Sequence, residues 1–429
     1  MTIGIFIEMK ESMRPKNFTM VDSCRICNGA LEPIFSLGVQ YITNFIENKS
    51  SIFAVPLDLV LCKKKNGGCG LLQMKHTVSP ELLYRKFWYK SGINQIMRNA
   101  LAEITTSIEN LIKLQIGDII VDIGSNDGTL LRSYNTSGLQ LIGFEPASNL
   151  IDEAKVDTNE IINDFFSYEK FKERLGIKKA KVITTIAMFY DLEDPNKFVK
   201  DIVDTLDENG MWIIQMNYLG TMIENNAFDN IVHEHLEYYS LNSLEYLLNK
   251  HNLEIFDVLL NEVNGGSFRV YVKHKNCGKY TITKRVPELR NYERKMGLDE
   301  DKTYHKFFKR ITSLKEITFR FIKSEVEKGK TVYAYGASTR GNTLLQFYGL
   351  DHKLIRASVD RNPSKWGKKT VGTEIPIISE EHARTEKPDY LLILPWYFIG
   401  EFTVRESKYL EEGGKFIVPL PNFQIIEKL

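Results

Sequence analysis

From residue 117 the chain alternates short apolar runs with amphipathic stretches. "GDIIVDIGSNDGTLLRSY" reads as a buried strand, a glycine-rich turn and a helix, and "LQLIGFEPA" as a second strand ending in an acid. "KVITTIAMFYDLEDPNKFVKDIVDTL" and "ENGMWIIQMNYL" supply further strand and helix units. Such alternation predicts a parallel, doubly wound sheet. The C-terminal block repeats it: "KTVYAYGASTRGNTLLQFYGL" is strand, loop and helix, and "IRASVDRNPSKWGKKTVGTEIPI" and "PDYLLILPWYF" add strands. A charged helical stretch around 285 to 328 joins the two α/β parts. Upstream, residues 75 to 115 turn helical after a Ser-Pro entry, with apolar residues three and four apart. "FWYKSG" interrupts that rhythm, predicting a break between two helices where a tyrosine faces a pocket.

At 429 residues the chain exceeds one ordinary core, so two or three domains are expected from length, and the pattern along the chain is read as three: 1–90, 91–280 and 281–429. The class is α/β, with a small N-terminal domain, a central Rossmann-like domain and a C-terminal Rossmann-like α/β domain. Hydrophobic residues at 43% and charged residues at 26% describe a globular protein. Fifty-six basic residues against 55 acidic ones leave a net charge of +1, so no global field recruits nucleic acid or a membrane. An anionic substrate then needs a local site. No apolar run is long enough to cross a bilayer. "MTIGIFIEMKES" lacks the basic start and cleavage site of a signal peptide, so a cytoplasmic protein is expected, as a monomer or small homo-oligomer.

Five cysteines in a chain this long argue for reduced thiols. Four of them, Cys24, Cys27, Cys62 and Cys69, form a C-x2-C and a C-x6-C pair in the first seventy residues. Two thiolate loops satisfy the tetrahedral preference of zinc and tie down a segment too small to own a core, so a closed structural zinc site is expected. Cys277 stands alone and is expected exposed and unliganded.

In "VDIGSNDG" the residues Asp122, Gly124, Asn126, Asp127 and Gly128 make a glycine loop that carries acids. Carboxylates there repel a pyrophosphate and suit a cation, which points to S-adenosylmethionine in preference to NAD. Glu145, followed by Pro146, is placed to accept from ribose hydroxyls, and Ala187 follows the fourth strand of the unit. The later "YGASTRGNT" loop, with Arg340 and Asn342, and the nearby Asp360-Arg361-Asn362 suit an anionic group or simply a tight turn. In "NIVHEHLEYYS", His233 and His235 lie two apart; on a strand they share a face, which leaves metal binding, acid-base chemistry and a polar strand edge as readings.

The order of four cysteines, "FWYKSG", "VDIGSNDGTLL", "GFEPA", "FDNIVHEHLEYYSL", "NGGSFRVYV" and "YGASTRGNTLL" resembles the three-domain sugar methyltransferases, typified by deoxysugar C-methyltransferases. The resemblance covers nearly everything beyond residue 20. It implies a zinc-binding N-terminal domain, a central class I S-adenosylmethionine methyltransferase domain and a C-terminal domain that helps to hold a nucleotide-linked sugar. It further implies a histidine base at His235, assisted by Glu234, with Tyr89 and His233 in the catalytic group and Asn264, Arg340 and Asn342 towards the substrate. Val232 stands where relatives often have tyrosine, Tyr190-Asp191 where they often have histidine, and Asn264 where they read histidine before Gly-Gly-Ser. The acceptor pocket therefore differs, and both C-methylation of a ketosugar and O-methylation of a sugar hydroxyl are open, in deoxysugar or surface-polysaccharide biosynthesis. A non-catalytic sugar-nucleotide-binding protein with a relict cofactor site is the reading from another class.

Overall fold

The computed structural model describes residues 18–42, 45–46 and 53–428. The leader expectation for residues 1–12 lies outside them. Seven strands form the central sheet in the order Leu253–Asn261, Ser267–His274, Leu206–Asn217, Ala180–Ile186, Ile119–Ile123, Gln140–Phe144 and Glu160–Ile162. The last five are parallel, and the first two form an antiparallel pair at one edge. Ile119–Ile123 is buried at every position, as a strand covered by helices on both faces must be. Helix Gln95–Leu111 turns Leu101, Ile104 and Ile108 inward, and Asn94 caps it by accepting from Ile96 N at 2.9 Å. The short helix Pro80–Tyr84 precedes it, so the "FWYKSG" break between helices is present.

The C-terminal sheet runs Ile377–Ile378, Ser358–Val359, Val332–Tyr335, Tyr390–Ile393, Lys415–Val418 and Gln424–Ile426, parallel except for the last strand. Helices Arg285–Met296 and Asp301–Glu327 lead into it. The N-terminal sheet consists of Glu32–Tyr41, Ala54–Leu61, Leu72–Met74 and, from far along the chain, Glu237–Tyr238. The segment that carries both histidines is thereby stitched to the N-terminal sheet.

Three local expectations are corrected. No regular helix follows the glycine loop, only a 3-10 turn at Leu131–Ser133. Arg132 folds back there to donate to the carbonyls of Asp127, Glu153 and Val156. The His-Glu-His segment is not a strand: it lies between the 3-10 turn Phe228–Asn230 and the two-residue strand Glu237–Tyr238. Cys277 is buried beside Phe256 and Tyr280, behaving as a small apolar side chain.

Candidate active site

The four N-terminal cysteines converge. Their sulfur atoms all lie within 4.8 Å of one another, with Cys24 and Cys69 at 3.4 Å and Cys27 and Cys62 at 3.3 Å. Gly68 belongs to the cradle, because a Cβ there would meet Cys62 Sγ at 2.5 Å. Four buried or half-buried thiols in a closed set fit a tetrahedral zinc with no position left for substrate.

A cavity of about 950 Å³ opens where the C-terminal ends of both parallel sheets face each other. Ligands in open α/β sheets bind at that edge. Asp122, Gly124, Asn126, Glu145, Pro146 and Ala187 line one wall. Asp122 ends its strand buried, accepting from Thr184 Oγ1 at 2.6 Å, and burial pushes its carboxyl up to about 7. Glu145 accepts from the backbone N–H groups of Asn126 (2.8 Å) and Ala147 (2.7 Å), which shapes the loop. Gly124 has a φ of 73°, and a Cβ there would meet Met188 at 3.2 Å. Ser125 Oγ is buried without a partner. Two buried carboxylates, bare backbone and an unspent hydroxyl fit S-adenosylmethionine, whose amino acid and ribose groups are donors.

Asp127 and Gly128 stand behind this wall. Asp127 accepts from Gly92 N at 2.7 Å and from Thr129 Oγ1 at 2.6 Å, while Asn126 accepts from Ser91 N at 2.9 Å. The acid and amide thus pin the "FWYKSG" segment over the loop and place Tyr89 at the cavity. Gly128 permits close packing, since a Cβ there would lie 2.8 Å from Ala154 O.

His235 and Glu234 line the opposite wall, and Val232 lies beside them. A carbonyl can only accept, so the 2.8 Å contact from His235 Nδ1 to Asn230 O places the ring proton on Nδ1 and leaves Nε2 with its lone pair. Burial, with a smaller push from Arg340, lowers His235 to about 3, so the ring is neutral near pH 7. The ring of Tyr190 lies 4.2 Å from it, centroid to centroid. Burial pushes Glu234 up to about 7, and its Oε2 has no partner. Asp191, with Oδ1 unpartnered, is raised by burial and by the charges of Glu234 and Glu237. Tyr84, which also lines the cavity, donates to Glu234 O at 3.0 Å.

His233 does not join His235. Its Nε2 donates to Val55 O at 3.0 Å, on the N-terminal sheet, and burial lowers it to about 4. The two rings therefore face different elements, and among the described residues the cysteine set alone gathers three or more metal-ligating side chains. Asn264 and Arg340 line the cavity. Asn342 is buried in the helix Thr339–Tyr348, apart from the cavity wall, with neither amide atom bonded. Asp229 and Tyr397 escaped the sequence reading, although Asp229 sits in "FDNIVHEH"; Tyr397 is one aromatic among many.

Three family models match in succession: a zinc binding domain over residues 24–84, a methyltransferase domain over 94–258 and a C-methyltransferase C-terminal domain over 262–421. The C-methyltransferase NovU of Streptomyces niveus is 31% identical over 427 residues, which span 97% of this chain and 99% of that one. Among solved structures, the plantazolicin methyltransferase BpumL bound to SAH is 15% identical and covers 42% of this chain and 86% of its own, with a TM-score of 0.34. A methyltransferase from Methanosarcina mazei is 13% identical, covering 39% and 95%, with a TM-score of 0.30. The full-length match and the succession of models carry the assignment that the residues already suggested: the chain is an S-adenosylmethionine-dependent methyltransferase with a structural zinc site, and it belongs to the three-domain sugar methyltransferases.

Proposed function

We propose that the protein methylates a carbon of a nucleotide-linked ketosugar, with His235 as the base. The observation that carries this reading is the His235 contact to Asn230 O, which leaves an unprotonated Nε2 on a side chain lining the cavity. S-adenosylmethionine, when bound, supplies a methyl group activated by its sulfonium. The chain's part is to align the acceptor and take one proton. Nε2 removes the proton beside the keto group as the new carbon–carbon bond requires, and the imidazolium is held by Asn230. Glu234 and Asp191, whose carboxyls burial raises and which line the same cavity, would donate to the developing enolate oxygen in their protonated forms. Tyr84 and Tyr190 close the pocket around them.

The nucleotide belongs at the C-terminal wall, where Tyr397 and Phe398 offer aromatic faces and where Arg361, paired with Glu380 at 3.3 Å, and Lys365, paired with Asp360 at 3.1 Å, would exchange a carboxylate for a phosphate. Carbon as the acceptor atom is supported by the names of the NovU relative and of the C-terminal model. The test is a panel of nucleotide sugars with a labelled methyl donor, followed by locating the label. Label on oxygen moves the reading to a hydroxyl acceptor with the same base; no transfer to any nucleotide sugar removes the substrate class.

A further inference from the structure

Arg340 is a natural partner for a phosphate by its place at a loop, yet its guanidinium is already paired with a buried carboxylate. It lies in the first turn of the C-terminal helix Thr339–Tyr348 and crosses to the central domain. Its Nε and Nη2 reach Asp229 Oδ2 at 2.9 and 2.7 Å, and Nη1 donates to Asn264 O at 2.5 Å. Trp396 Nε1, also from the C-terminal domain, donates to the same carboxylate oxygen at 3.3 Å. Tyr397 covers the guanidinium at 4.6 Å. Asp229 is fully buried, so its charge has no stabilisation from water and depends on this partner.

Asp229 is one peptide unit from the carbonyl that orients the base. The 3-10 turn Phe228–Asn230 is tight, with Asn230 N donating to Ala227 O at 3.1 Å and Ile231 N to Phe228 O at 2.8 Å. Asp229 and the Asn230 carbonyl thus belong to the same short turn. We propose that the Arg340–Asp229 pair is a positioning element: it fixes the Asn230 carbonyl, and so the Nδ1–H tautomer of His235, when the C-terminal domain is docked. This rests on His235 being the base. The domain that holds the nucleotide thus sets the tautomer of the catalytic histidine in the neighbouring domain.

The test uses Asp229→Asn and the milder Arg340→Lys in the full chain, with ¹⁵N-histidine spectra and steady-state kinetics. His235→Asn identifies the His235 signals among the eight histidines. The expected result is a mixed His235 tautomer in both variants, with kcat down by about ten- to a hundredfold and the KM for nucleotide sugar within about twofold. A rise in KM with kcat and tautomer intact makes Arg340 a phosphate ligand and overturns the proposal. So does an unchanged tautomer in folded Arg340→Lys, whatever becomes of Asp229→Asn. The spectra need no turnover, so loss of the base assignment, read from a His235→Asn enzyme that keeps its activity, is a separate outcome.

Discussion

His233 and His235 stand two residues apart and are both neutral, for different ends. His233 is a buried strut to the N-terminal sheet and His235, the proposed base, has one nitrogen pinned. Their pH consequence has one sign. Below the ordinary value of 6.5 an unfolded histidine takes up a proton, while the folded side chains hold off to about 4 and about 3. The unfolded state then binds more protons, so stability is lost as pH falls from 6.5. Asp122 and Glu234, raised to about 7, act in the opposite sense, their neutral forms favouring the fold at acid pH. The histidine contribution is isolated by difference: His233→Gln keeps a donor for Val55 O but cannot charge, so its melting temperature falls less than the wild type's between pH 7 and pH 5. A parallel fall in both would contradict the assignment. Asp122 makes a second prediction. A bound cation favours its ionised form, so S-adenosylmethionine binding at pH 7 releases a fraction of a proton, read as a dependence of binding enthalpy on buffer ionisation. Asp122→Asn abolishes that dependence.

Elements explain what residue types alone did not disclose. The glycine loop was legible because acids among its glycines have a chemical meaning, and the strand before it because every position is apolar or functional. The missing helix after it was not, because Arg132 satisfies one carbonyl of the loop and two from another segment, contacts no periodicity encodes. The His-Glu-His segment was legible as chemistry and not as geometry: spacing suggested one shared face, whereas the chain turns between the two rings. Asp127 reads as a ligand for a cation and proves to anchor Gly92. Gly128 tests the loop as an element. With φ at 77° and Arg132 and Ala154 pressed against it, Gly128→Ala destabilises by about 1–2 kcal/mol from backbone strain alone, and more from the clash. Gly400→Ala is the control, since nothing lies within 4 Å of a Cβ there. Its melting temperature stays level or rises.

Across the whole molecule the His-Glu-His segment is held from three directions. Met74 N donates to Leu236 O and Leu236 N to Tyr190 O, each at 2.8 Å, tying it to the N-terminal sheet and the central domain. Arg340 ties it to the C-terminal domain. Arg25, inside the first cysteine knuckle, lies 3.7 Å from buried Glu237 and donates to Met74 O at 2.7 Å. Zinc removal therefore acts beyond the knuckle: in the chelated protein, amide hydrogen exchange rises across Leu236–Tyr239 as well as residues 24–29 and 62–70. Exchange confined to the knuckle would make the zinc domain a passive attachment. The central claim is that this cavity moves a methyl group with His235 as base, and its most direct test is single-turnover transfer from labelled S-adenosylmethionine to the accepted nucleotide sugar by wild type and His235→Asn. The account predicts unchanged cofactor affinity with transfer reduced by about a hundredfold or more in the variant; transfer at the wild-type rate would contradict it.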